Sequence, residues 1–269
     1  MGTHRVRLEH RAFSIMSGVV LAATTACAGG TSPTVPAPGS SAAVPIDPAV
    51  NTVAANALLP DLVMLPLTEF RLAQDNGRPT LRFSALAKNI GEGPFELTGS
   101  RPGTGTTDMD VIQTVHHADG GKETIPTDAV MHFSVFDDHD HFHVQDFEGY
   151  WLAPVGVAAA GRGNKEGFCI EEDLRQDGQV PKGYGDCGED HPELLTVQQG
   201  LAVGWVDRYA WNLEGQFVYL DGLTLPGEFC VSATADPRSF FTEETRSNNT
   251  TSVSVRISKM SVDVIKKGC

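Results

Sequence analysis

The residues Phe136-Asp137-Asp138-His139-Asp140-His141-Phe142-His143-Val144-Gln145-Asp146-Phe147 leave this chain few choices of local structure. Three of its nine histidines stand at alternate positions there. Successive side chains of a β-strand point to opposite faces, so an extended backbone places His139, His141 and His143 on one face. Alternate Cα atoms of a strand are about 6.5–7 Å apart, so three imidazoles meet at one ion only where the strand twists or bends. Imidazole suits copper, zinc, nickel and iron, and three protein ligands leave positions open for water, oxygen or substrate. The competing reading is a solvated, His-rich edge with incidental metal affinity. Strand-like sequence, not Gly/Ser filler, runs straight on from the block, which favours a built site. The alternation specifies a metal, but neither its identity nor the reaction.

Composition sets the N-terminus apart. Arg5, Arg7 and Arg11 flank the start of a short apolar run, Phe13 to Ala23, and small residues follow as far as Cys27 and Ala28. Residues 1–28 read as an export signal, too short for a membrane span. Two outcomes stay open, cleavage after Ala28 or lipidation of Cys27 as in a bacterial lipoprotein. Residues 29–57 are rich in Gly, Ser, Thr, Pro and Ala and read as a disordered tether. A surface-anchored protein needs one, which favours the lipid anchor as the chain's link to a membrane. Residues 58–269 then suffice for one substantial core. A net charge of −14 argues against a nucleic-acid partner and suits a cationic substrate such as an amine. Of five cysteines, setting Cys27 aside leaves Cys169, Cys187, Cys230 and Cys269, enough for two disulfides outside the cytoplasm.

The folded part opens at Asp61 to Ala73. Thr80 to Ala87 alternates, with Leu81, Phe83, Ala85 and Ala87 on one face, and reads as a strand. Phe147 to Leu152, Gln216 to Leu220 and Thr251 to Ile257 read the same way. Residues 99–107 and 155–164 read as loops, and 171–199 as a long polar excursion of the kind that carries function. His116-His117 is a weaker histidine cluster, because neighbours on a strand point opposite ways. Turn signals recur between short strands and no long 3.6-residue periodicity appears, so the class is all-β, a sandwich.

Taken together the motifs resemble the lysyl oxidase family. His139-Asp140-His141-Phe142-His143 is similar to its copper-binding His-x-His-x-His. Gly163-Asn164-Lys165-Glu166-Gly167-Phe168-Cys169-Ile170-Glu171 resembles the segment around the lysine that enters the family's cofactor. Gly200-Leu201-Ala202-Val203-Gly204-Trp205-Val206-Asp207-Arg208-Tyr209 resembles the segment holding the partner tyrosine. Pro60-Asp61-Leu62-Val63 and the stretch from Glu243 to Asn249 agree as well. The resemblance spans residues 60–269 and is to an exported, bacterial member.

That resemblance implies a copper-dependent amine oxidase with copper on His139, His141 and His143. It also implies a lysine tyrosylquinone, made when copper and oxygen oxidise Tyr209 and the amine of Lys165 adds to the ring. A primary amine, with peptidyl lysine on extracellular proteins among the options, is then oxidised by oxygen to an aldehyde, releasing ammonia and hydrogen peroxide. Asp207, two residues before Tyr209, is the candidate base; Gly149 stands where the resemblance leads one to expect a histidine sometimes proposed for that role, so the base stays open. Asp61, the backbone of Leu62, Glu243, Asn248 and Asn249 resemble a calcium site. Asp138 and Arg175 stand where the family's partners for Cys169 and Cys187 are expected, so the implied pairs are Cys169–Cys187 and Cys230–Cys269. Two other functions stay open: an extracytoplasmic copper or zinc carrier in which the quinone never forms, and an adhesion domain stabilised by calcium.

Overall fold

Alternation carries straight into the structure, a computed structural model that describes residues 53–136, 139–157, 161–175 and 183–269. The export signal, Cys27, most of the tether and Asp138 lie outside the described residues, as do the side chains of His139 and Arg175. No helix occurs among the described residues. In chain order the strands are β1 (Ala57–Leu58), β2 (Leu62–Met64), β3 (Thr68–Asp75), β4 (Arg78–Asn89), β5 (Phe95–Ser100), β6 (Asp108–His117), β7 (Lys122–Phe136), β8 (His139–Gln145) and β9 (Glu148–Pro154). There follow β10 (Gly161–Arg162), β11 (Gly167–Phe168), β12 (Leu174–Arg175), β13 (Thr196–Leu201), β14 (Trp205–Tyr209), β15 (Phe217–Tyr219), β16 (Gly227–Ala235), β17 (Thr250–Ile257) and β18 (Val262–Lys267).

They form three sheets with antiparallel ladders. The first runs β11-β8-β7-β6-β5-β13 with β1 on β6, the second β10-β9-β16-β17-β18, and the third β12-β14-β4-β15 with β2 and β3 also on β4. The all-β expectation holds. Leu81, Phe83, Ala85 and Ala87 on β4 are wholly buried, as their spacing predicts. Their neighbours across the core come from the other sheets. Phe83 of β4 meets Tyr150 of β9 edge-on at 5.3 Å, and Phe168 of β11 meets Phe147, Tyr150 and Tyr209. One aromatic cluster therefore joins all three sheets, and Phe168 sits at its centre.

Both disulfides pair as expected, Cys169 with Cys187 and Cys230 with Cys269. The second ties β16 to the chain's last residue. The first closes the excursion after β11, which a buried carboxylate also pins. Glu172 accepts from Ala202 N through Oε1 at 2.7 Å and from Tyr184 N through Oε2 at 3.1 Å. Tyr184 in turn donates to Glu96 of β5 at 2.8 Å. His116 and His117 do diverge: one bonds Glu96 and the other Glu123.

Candidate metal and amine site

Strand β8 pairs with β7 so that His143 faces His132 and His141 faces Ser134. Directly opposed residues share a face, and all four line one cavity of about 740 Å³. The His141 and His143 rings lie edge-to-face with centroids 4.3 Å apart. His139 opens the same strand opposite Phe136, in register with the other two.

The Lys165 segment is brought against this strand by β11. Gly167 pairs with Gln145, and a Cβ on Gly167 would fall 2.9 Å from the Cβ of His143, so only glycine allows this approach. Lys165 is held on both sides through its neighbours. Asn164 N donates to Phe217 O at 3.0 Å, and Asp146 N donates to Glu166 O at 2.8 Å. Gly215, at φ +66°, lies beneath the Lys165 backbone, where a Cβ would come within 3.4 Å of its Cα.

Strand β14 supplies the remaining wall. Asp207 and Tyr209 are two residues apart and both line the cavity, as strand periodicity predicts. Tyr209 packs edge-on against Phe168 at 4.9 Å and donates its hydroxyl to Cys169 O at 2.7 Å. The Lys165 Nζ lies 5.4 Å from the Tyr209 ring centroid and 5.4 Å from that of Phe168. The structure thus gathers Lys165, Tyr209, Asp207, His141 and His143 about one cavity.

Burial governs the charge state of these groups. It lowers the proton affinity of Lys165, while Asp207, Glu148 and Glu214 pull the other way. It raises the Tyr209 phenol well above its ordinary value, and the nearby Asp207 adds to that. It also raises the Asp207 carboxyl well above the carboxylate range. Asp207 Oδ2 has no hydrogen-bond partner.

Sequence reasoning missed Glu148. It is wholly buried, its Oε2 accepts from Tyr150 at 2.7 Å, and its Oε1 has no partner. Burial lifts it to about 8. The signal was legible: an acid on the inward phase of a strand whose next inward residue is Tyr150. A raised carboxyl contributes stability that is complete below its unfolded value near 4.5 and is lost as pH rises through the folded value. Melting curves of Glu148→Gln and of the unsubstituted protein should therefore move apart in the variant's favour between about pH 4.5 and 8. A constant difference across that range would contradict a buried, proton-holding Glu148.

The residues expected for calcium lie together and bond to one another. Asn248 Nδ2 donates to Asp61 Oδ1 at 2.9 Å, Leu62 N to Glu243 Oε2 at 3.1 Å, and Asn249 Nδ2 to Glu243 Oε1 at 2.7 Å. Leu62 thus enters through its N–H, a donor that cannot ligate a cation, and its part is to orient Glu243. The buried Oδ1 atoms of Asn248 and Asn249 have no partner, which fits a hard cation. Arg246 stands 3.2 Å from Glu243 Oε1 and already offsets part of the negative charge. Cys169, Glu171 and Cys187 also bring three donor atoms within 4.8 Å of one another. Their sulfurs are joined to each other and are not thiolates, so the group is a covalent tie in this state.

No curated protein matches the chain. A family model described as lysyl oxidase matches residues 108–269. That span exceeds half of the chain and holds every residue lining the cavity, from His132 to Gly215. Since one family pattern runs unbroken through the histidine strand, the Lys165 segment and the Tyr209 strand, this chain belongs to the lysyl oxidase family.

Proposed function

We propose that this protein is a copper-dependent amine oxidase that converts primary amines, oxygen and water to aldehydes, ammonia and hydrogen peroxide. The observation that carries this reading is the shared cavity, with Lys165 Nζ 5.4 Å from the Tyr209 ring and the His141 and His143 strand forming another wall. His141 and His143, with His139 in register beside them, would hold copper. Two imidazoles already facing one space fit that ion. Copper and a lysine tyrosylquinone built from Lys165 and Tyr209 would supply the redox capacity that ordinary side chains lack.

The chain's own residues do the rest. The backbone hydrogen bonds on either side of Lys165 fix its reach, and Phe168 presents the Tyr209 ring edge-on. Burial keeps a larger share of Lys165 as the free amine, the form able to attack. Asp207 is the candidate base, since a carboxyl with raised proton affinity is suited to taking a proton and handing it on. Residues 1–28 would direct export, with Cys27 as the anchor point and 29–57 as the tether. The two disulfides suit an oxidising compartment. Calcium at Asp61, Glu243, Asn248 and Asn249 would tie the entry to β2 to the turn before β17.

The test is mass spectrometry of protein matured with copper in air. A peptide joining the segments around Lys165 and Tyr209 is expected. Amine-dependent peroxide production from protein in which both peptides stay linear would overturn the self-derived cofactor. Copper binding with no crosslink and no oxidation would instead indicate a carrier.

A further inference from the structure

A row of side chains crosses the first sheet at the edge of the cavity. Asp108 of β6 stands opposite His132 of β7, and His132 stands opposite His143 of β8. His132 Nδ1 donates to Asp108 Oδ1 at 2.5 Å, and His132 lines the cavity together with His141 and His143. With Nδ1 given to the carboxylate, Nε2 is the nitrogen that His132 has left for a metal. Metal-binding imidazoles are commonly held in this way, the other ring nitrogen donating to a carboxylate that fixes tautomer and orientation. His116 and His117 are arranged the other way round, each with Nε2 on its carboxylate and neither in the cavity lining.

Spacing favours a ligand from β7 over a set drawn from β8 alone. The ladder between β7 and β8 holds one register from Met131–Val144 to Phe136–His139. Along such a strand the Cα atoms of His143 and His141 are about 6.5–7 Å apart, and those of His143 and His139 about 13 Å. Directly opposed Cα atoms of an antiparallel pair are only about 4.5–5.5 Å apart. The backbone of His132 is therefore nearer to His143 than that of either β8 histidine. His132, His141 and His143 form a compact triangle, where the β8 residues alone form a line. An ordinary cross-strand pair would account for the bond between Asp108 and His132. It does not account for a carboxylate-held imidazole on the wall that His141 and His143 share.

We propose that His132 is a further metal ligand of this site, its Nε2 joining the β8 imidazoles on one copper ion, with Asp108 as the partner that orients it. This rests on reading His141 and His143 as copper ligands. Copper(II) favours a tetragonal set of nitrogen and oxygen donors, which one extended strand supplies poorly and two adjacent strands supply well.

The experiment is copper(II) titration of metal-free protein without oxygen, read by pulsed electron paramagnetic resonance. That spectrum counts the imidazoles on the ion whether or not a cofactor ever forms. His132→Asn keeps a side-chain N–H for Asp108 and lacks Nε2. Both side chains are partly exposed, so the change spares the core. It should remove one imidazole from the copper spectrum and, since water can take the vacated position, weaken copper by about 10–100-fold. Asp108→Asn keeps the ring but loosens its orientation and should weaken copper by about tenfold. In the double variant the two losses should not add, because Asp108 acts only through His132. His191→Asn removes another carboxylate-held imidazole, one outside the cavity lining, and should change neither readout. An unchanged imidazole count in His132→Asn would overturn the proposal, even if affinity fell, since a merely structural neighbour would behave so. If His141→Ala loses copper alongside that result, the β8 site stands without His132. Copper unchanged in His141→Ala would overturn both, because His132 would have no β8 site to join.

Discussion

Lys165→Ala and Tyr209→Phe should each cut amine-dependent peroxide release by about a thousandfold or more, with copper content close to that of the unsubstituted protein. Lys165→Ala removes the nitrogen that would join the ring, and Tyr209→Phe removes the phenol oxygen without which the ring is not oxidised to a quinone, so the loss should be all or none. Neither change touches an imidazole. Tyr209→Phe keeps the ring against Phe168 and gives up only the hydrogen bond to Cys169 O, about 1 kcal/mol of stability. Lys165→Ala leaves the backbone bonds of Asn164 and Glu166 in place. Both variants should therefore fold, and a peroxide assay beside copper analysis separates loss of chemistry from loss of structure. Full activity in either variant would refute the proposed oxidase mechanism and leave copper binding as the function to be explained.

Much of this site was legible because strands write their geometry into the chain at a period of two. The alternation of His139, His141 and His143 specifies one face. The same period places Asp207 beside Tyr209, and the structure has both on the cavity wall. The inward phase of β4 likewise follows from Leu81, Phe83, Ala85 and Ala87 alone. Strands β5, β6 and β7 were harder to read, for a physical reason. Pro126 interrupts β7, and the ladder between β6 and β7 shifts register between Asp110 and Ile112, so the alternation breaks mid-strand. Strand β18 also escaped, because Val264 and Ile265 on it are exposed and leave no inward phase to detect.

What periodicity could not supply was which faces meet. That His143 would touch Gly167, or that Phe168 would stand between two tyrosines, depends on β11 docking beside β8, a pairing between segments over twenty residues apart. Glu148 shows the limit most clearly. Its phase on β9 was available in the sequence, but an inward acid becomes meaningful only once the interior around it is known to be dry, with Tyr150 as its one hydrogen-bond donor. The disulfide pairs were recoverable through resemblance, since four cysteines by themselves permit three pairings.

Copper should depend on His141 above the other described imidazoles. His141 occupies the middle of the alternating three, and its ring already lies 4.3 Å from that of His143. Partners that merely orient a metal ligand are worth about 10–100-fold in affinity, so His141→Ala, which removes a ligand outright, should weaken copper by more than about a hundredfold. The strand should survive, because the backbone pairing with Ser134 does not involve the ring. His191→Ala is the matched control: that imidazole is exposed, bonded to Glu193, and outside the cavity lining. If copper binding reflected scattered histidines, the two variants would lose metal to a similar degree. If the alternating strand is the site, His191→Ala keeps its copper and His141→Ala loses both metal and crosslink. The crosslink is the stricter readout, since zinc can occupy imidazoles yet has no redox chemistry with which to oxidise Tyr209. Unchanged copper in His141→Ala would place the metal elsewhere and separate the histidine strand from the chemistry of Lys165 and Tyr209.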